Sequence, residues 1–467
     1  MKRLALSGGR AITPQGARVC DIVAEGGRIA AILPHNPRRG YPAGTEIVDA
    51  RGKLVLPGII DPHVHLRLPA GDGFSSDDFE SGTKAAIASG VTTVIDYTAQ
   101  PAGVALKTAV AQRRLEADGK VHCDYGLHCV IPSWKALENP EKQLRGLARS
   151  GVPTFKMFMI YEERGLQSDD GDMYAALAES ARCGAMICVH AESGRILRYL
   201  LSIYKGRKEL GAKAHALARP DFTEWEAVQR GLTWAGITGG NIYFVHLSAG
   251  RSAELVRKAA AAGVNAHGET CPQYLVLDDS VFDSRADGHL FATCPQVKKK
   301  TDSAALWRAV GAGGVSALAT DHCPFTRAQK DRWAGDITRL LFGMPGVETL
   351  LPLVYTCGMK KGKISLQRLV QVMCENPARL MGLYPAKGAL AVGADADLVL
   401  LDPRAARKVE HSRMQTNCDW NPYDGMRLYG WPEKVFLRGK LAAQGGVPVG
   451  KARGKFIKRG RPDLSVR

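Results

Sequence analysis

The sequence has no Cys-x-x-Cys pair, no run of about 18 apolar residues and no low-complexity tract. Its eleven cysteines are an odd number, scattered singly along 467 residues. That pattern argues against a thiolate zinc site and against a disulfide framework. Cys123, Cys129 and Cys188 sit in apolar runs, which predicts buried free thiols in a reducing compartment. The missing apolar run excludes a helical membrane span. The first ten residues, MKRLALSGGR, hold too short an apolar stretch for a signal peptide, so a cytoplasmic protein is expected. No zinc-finger, RRM or helix-turn-helix signature occurs, and no basic run is interleaved with aromatics. The net charge of +17 therefore reads as a solvated basic surface and not as a nucleic-acid interface. Much of it is local, with ten Lys/Arg against two acids from Trp431 to Arg467.

With 45% hydrophobic and 23% charged residues, the composition is that of a globular chain with a large core. The first stretch of about 55 residues reads as short strands and turns, with a hairpin at Gly26-Gly27. The last stretch, of about 80, reads alike. The middle alternates strand-length apolar runs with helical patterns such as those at 77–90 and 252–263. Eight strands are predicted, at 55–60, 92–97, 125–131, 154–159, 186–190, 242–246, 264–266 and 316–321. Eight βα units predict a (β/α)₈ TIM barrel over 57–384. A small β-sandwich domain built from both termini, 1–56 and 385–467, is expected beside it.

In such a barrel, catalytic groups project from the C-terminal ends of the strands. The first end reads Asp61-Pro62-His63-Val64-His65. Histidines at i and i+2 on an extended chain face one side and can reach one metal. The fifth and sixth ends carry His190 and His246, and the eighth carries Asp321-His322. Each alone also suits packing or helix capping. Glu192 suits either orienting a ligand or capping a helix. His267, His322 and Cys323 are expected near the mouth, packed behind the ligands. Lys156 stands inside an apolar strand, where an unpaired ammonium is costly. It needs either a salt bridge to an acid or carbamylation by CO2, which makes it an anion able to bridge two cations. The nitrogen and oxygen donors suit zinc, with manganese or cobalt as alternatives.

Taken together, His63-Val64-His65, residues 154–159, His190-Ala191-Glu192, His246-Leu247-Ser248 and residues 319–324 resemble the amidohydrolase superfamily. More narrowly, the chain resembles its cyclic amidase group. Residues 77–83, 168–171, 269–275, Tyr161, 421–425 and 430–432 favour the hydantoinase/dihydropyrimidinase branch. The resemblance spans nearly the whole chain. It implies a hydrolase opening cyclic amides to N-carbamoyl amino acids, with two divalent metals. His63, His65 and Asp321 would hold the more buried ion, and His190 and His246 the more exposed one. N6-carboxylated Lys156 would bridge them. Asp321 would carry the proton, and Tyr161 would bind substrate and stabilise the oxyanion.

The resemblance also places Cys294 and Phe342 at ring-binding positions where the branch usually has Ser and Asn, with contact mainly through the backbone. Ala70 and Gly165 stand where bulky gate residues are usual, which predicts tolerance of larger ring substituents. A homotetramer is implied as well, with the basic tail reaching a neighbouring subunit. Two rival readings stand beside this one. Allantoinase or dihydroorotase chemistry is the first, since Arg67 follows His65 closely enough to bind a substrate carboxylate. A non-catalytic binding homologue is the second, and the six filled ligand positions count against it.

Overall fold

A computed structural model describes residues 3–466. Eight parallel strands follow one another in chain order: Ile59–Val64, Val91–Tyr97, Asp124–Val130, Thr154–Phe158, Met186–His190, Ile242–Phe244, Ala266–Thr270 and Ala317–Leu318. Nearly every residue in them is buried, as expected of strands covered on both faces. Helices fill the crossovers. Phe79–Ala88 starts where the Asp78 carboxylate accepts the amides of Glu80 and Ser81, and it buries Phe79, Thr83, Ala86 and Ile87. The last and first strands meet at a single bridge between Val64 and His322. Asp61 completes that seam, accepting the Thr320 amide (3.1 Å) and hydroxyl (2.5 Å).

Two predicted strands need correction. The apolar run at 55–60 serves two sheets, Leu54–Pro57 in the terminal sheet and Ile59–Val64 in the barrel. Gly58 is the break. Its amide donates to the Asp397 carbonyl (2.8 Å), and a Cβ there would lie 2.1 Å from Thr92 Oγ1. The seventh strand is Ala266–Thr270 and not 264–266, because it buries the polar Glu269 and Thr270 that an apolar pattern passes over.

The terminal strands form one nine-stranded ladder in which Leu398–Leu401 pairs antiparallel with Leu54–Pro57, joining the two ends of the chain. Leu4, Leu6, Ile22, Val48, Leu398 and Phe436 share its separate core. Lys387 locks sheet to barrel, pairing with Asp124 (2.8 Å) and Asp397 (2.6 Å). Among the described residues no helix is long and apolar enough to cross a membrane.

Past Val447–Pro448, the last strand of the terminal sheet, the basic tail turns away from it and lies under the barrel. Gly454 N donates to Val121 O (2.9 Å), Tyr125 N to Lys455 O (3.0 Å) and Arg459 N to Gly151 O (3.0 Å). The Arg459 guanidinium, 4% exposed, enters the barrel floor and donates to Thr154 Oγ1 (2.8 Å) and to the Leu127 carbonyl. His267 faces this floor and not the mouth, with its Nδ1 3.3 Å from Ser316 Oγ and its other neighbours in the tail.

The close approach at Gly454 gives a test. A Cβ there would lie 1.9 Å from the Cys123 carbonyl oxygen, which is fixed backbone. Gly454→Ala is expected to undock the tail, destabilise by roughly 1–3 kcal/mol in urea unfolding, and open Lys455 and Lys458 to limited trypsin digestion.

Candidate metal centre

The first strand carries His63 to its end, and the turn after it carries His65. His63 Nε2 lies 3.1 Å from His65 Nε2 and 3.2 Å from Asp321 Oδ1, and His65 Nε2 lies 3.3 Å from the same oxygen. Burial pushes the His63 imidazole well below its ordinary pKa, so it is neutral. Its Nδ1 is hydrogen-bonded to Glu269 Oε1 (2.5 Å), so the Nε2 lone pair faces inward. Nitrogens of two imidazoles and an oxygen of one carboxylate converge on one point. Donors about 2.0–2.1 Å from a tetrahedral ion stand about 3.3 Å apart, which is the spacing seen here. The donor set fits a divalent metal.

His190 and His246 pack edge to face, with ring centroids 4.5 Å apart, and His246 lies 5.3 Å from His63. His190 Nε2 is bonded to Glu192 Oε2 (2.7 Å), which leaves Nδ1 as its free donor. His246 Nδ1 is buried without a partner. Burial holds both rings below the usual histidine pKa. A second group of possible ligand atoms joins His190 to Glu192 and Cys294.

Lys156 lies within this ring of histidines, 1% exposed. Among the described residues no carboxylate comes within ion-pairing distance of it. Its Nζ stands 5.4 Å and 5.0 Å from the Tyr97 and Phe158 ring centroids. Burial lowers its pKa to about 8. Its charge bears on His63, His190, His246 and Asp321 alike.

Tyr161 follows the fourth strand, its ring 5.5 Å from that of His190. Tyr161 (φ 71°), His246 (φ 40°) and Asp321 (φ 52°) all adopt the left-handed backbone that non-glycine residues avoid. Such strain concentrates at functional sites. The side chains of Cys294 and Phe342 are committed elsewhere. Cys294 Sγ lies 3.2 Å from Glu192 Oε2 and 3.1 Å from Arg219 Nη1. Phe342 stacks on His215 at 5.1 Å with the Arg219 guanidinium 5.2 Å from its ring.

Several supporting residues escape a reading of strand ends. Glu269 accepts from His63, from the Tyr243 hydroxyl (2.8 Å) and from the His246 amide (3.3 Å), and burial raises its pKa to about 8. An acid inside a buried strand is the same signal as Lys156, hidden because that strand begins two residues later than its apolar pattern. Glu224, also buried, receives the Ser248 and Ala249 amides just after His246. The Glu192 carboxylate orients His190, and Arg219 (3.0 Å) keeps it ionised despite burial. His322 does pack behind the ligands, its Nε2 3.0 Å from Asp77 Oδ2. Asp77 and Glu348 in turn pin a strap from the C-terminal segment beside the mouth. Asp77 accepts the Asn417 amide (2.8 Å), and Glu348 accepts those of Gln415 (2.9 Å) and Thr416 (3.0 Å).

Comparison with known proteins agrees with this geometry. Residues 54–442 match the Amidohydrolase family. A D-hydantoinase of Geobacillus stearothermophilus is 36% identical over 98% of this chain and 96% of its own. A D-phenylhydantoinase of Escherichia coli is 33% identical, with 98% of each chain covered. The crystal structure of a dihydropyrimidinase from Brevibacillus agri superposes with a TM-score of 0.94 at 32% identity, covering 98% of this chain and 99% of that one.

Two variants probe the supporting carboxylates. Glu269→Gln replaces the carboxyl that accepts from His63 Nδ1 and is expected to weaken zinc binding roughly 10- to 100-fold in chelator competition. Burial raises the Glu348 pKa to about 8, so the folded state holds a proton the unfolded state has lost. The stability that Glu348 contributes is full below its unfolded pKa near 4.3 and declines as pH rises to about 8. Against Glu348→Gln, wild-type stability should fall by at most about 1.4 kcal/mol per pH unit across that window and run parallel above it.

Proposed function

This chain belongs to the amidohydrolase family, and on that premise we propose a binuclear metal-dependent cyclic amidohydrolase. It opens the ring amide or imide of hydantoins or dihydropyrimidines to N-carbamoyl amino acids. The observation that carries the proposal is Lys156, buried within the ring of histidines with no carboxylate, among the described residues, to neutralise it.

His63, His65 and Asp321 would hold one ion, His190 Nδ1 and His246 the other, and N6-carboxylated Lys156 would bridge them. Zinc suits these nitrogen and oxygen donors. When bound, the ions supply acidification of water and polarisation of the ring carbonyl. The chain's own residues supply the rest. Asp321 takes the proton of the attacking water and delivers it to the leaving ring nitrogen. The Tyr161 hydroxyl, kept protonated by burial, donates to the oxyanion. With the Cys294 and Phe342 side chains engaged, their backbones are what remains for the ring imide.

The dihydroorotase alternative needs Arg67 over the metals. Its guanidinium instead lies 4.5 Å from the Phe74 ring and 3.4 Å from Glu116. Gly165 leaves open space, with nothing within 4 Å of an added Cβ, which favours larger ring substituents.

Metal content per chain should approach two, in a sample that opens hydantoin, 5-phenylhydantoin or dihydrouracil. Activity confined to allantoin or dihydroorotate would keep the chemistry and overturn the branch. No metal, and no ring opening after added zinc and bicarbonate, would leave a binding protein.

A further inference from the structure

Arg67, Arg219 and Arg198 each have a carboxylate partner. Arg67 faces Glu116 (3.4 Å), Arg219 faces Glu192 (3.0 Å), and Arg198 is paired with Glu162. Arg164 has none among the described residues. Its guanidinium carbon instead lies 4.7 Å from the centroid of the Tyr161 ring. That ring in turn lies 5.5 Å from the His190 ring, so one aromatic side chain separates the guanidinium from the centre.

The turn that carries it is closed by backbone bonds. Arg164 N and Leu166 N both donate to Tyr161 O (3.1 Å each), and Gly165 N donates to Glu162 O (2.9 Å). The arginine is thus held above the tyrosine by the same turn that places the tyrosine hydroxyl. Beside it, Gly165 opens onto empty space. Ala70, in the short hairpin Pro69–Ala70 with Gly73–Phe74, adds only a methyl. Small side chains at these two positions would leave room for a ring substituent, and the guanidinium without a carboxylate partner stands beside Tyr161. An exposed arginine with free donors offers a two-pronged partner to a carboxylate.

We propose that Arg164 is a specificity-determining residue that selects cyclic amides whose ring substituent ends in a carboxylate carried on a short side chain. This rests on the cyclic amidase reading, because it assigns the far end of the substrate that reading places at Tyr161. The reaction itself is unchanged. Water adds across the ring C–N bond, and the substituent takes no part in the chemistry.

The test compares 5-(2-carboxyethyl)hydantoin with its neutral isostere, 5-(2-carbamoylethyl)hydantoin, on the metal-loaded full-length enzyme. The wild type is expected to favour the acid in kcat/KM by about tenfold, corresponding to about 1.4 kcal/mol, expressed mainly in KM. The preference should shrink as salt is raised, since the guanidinium is exposed. Arg164→Gln should bring the ratio close to one, and Arg164→Lys should retain part of it. Inhibition by the two N-carbamoyl products should follow the same order, a binding readout independent of turnover. Ring opening without preference for the acid overturns the role of Arg164 while leaving the cyclic amidase reading intact. An equal loss on both substrates in Arg164→Gln makes Arg164 a support for Tyr161 alone and overturns it too. Failure of the metal-loaded wild type to open either ring overturns both readings.

Discussion

A buried lysine with no carboxylate in ion-pairing distance, among the described residues, is the constraint on which the site depends. Lys156 lies in the barrel interior, where the low dielectric strengthens every unbalanced charge. Its neighbours are no more settled. Glu269 is pushed up to about 8 and Asp61 to about 7 by burial, while His63 and His246 are forced to stay neutral. Against the effect of burial, His63 and His65 hold the Asp321 carboxyl below its ordinary pKa. On the proposed reading, cations would replace protons as partners of the site's lone pairs. Stability of the fold and occupancy of the centre would then be linked quantities.

The barrel delivers those donors with carboxylates that never face the centre. Glu269 sets the tautomer of His63 and holds the backbone of His246, while Glu192 fixes which nitrogen of His190 is left free. Asp61 ties the first strand to the eighth, so the two histidines of one and the aspartate of the other share one frame. With the backbone pinned at so many points, left-handed conformations at His246 and Asp321 can be held at a cost of about 1–3 kcal/mol each. The direction of a ligand is decided by a residue one layer behind it.

Much of this was legible in the sequence. The eight-unit alternation of strand and helix announced the barrel, and polar residues at the ends of apolar runs picked out His63, His190, His246 and Asp321. Lys156 stood out because a charge inside a buried strand needs either a paired acid or altered chemistry. What failed did so for physical reasons. The run 55–60 held no polar residue to mark where one sheet hands over to another, and only Gly58 and its contact with Thr92 decide it. Glu269 was hidden because its burial depends on Tyr243 and His63, far away in sequence. The side-chain environments of Cys294 and Phe342 were illegible for the same reason, since Arg219 and His215 arrive from another loop. The basic tail carried no apolar pattern to betray its docking, which is made by backbone bonds and one buried guanidinium.

That docking has a consequence for the order of assembly. Arg459 seals the floor beneath the third and fourth strands from a distance of 332 residues to Leu127 and 305 to Thr154. Closing a loop of that length costs chain entropy before any contact repays it. The pairing of neighbouring strands is far more local, so the barrel wall forms first and its base is plugged afterwards.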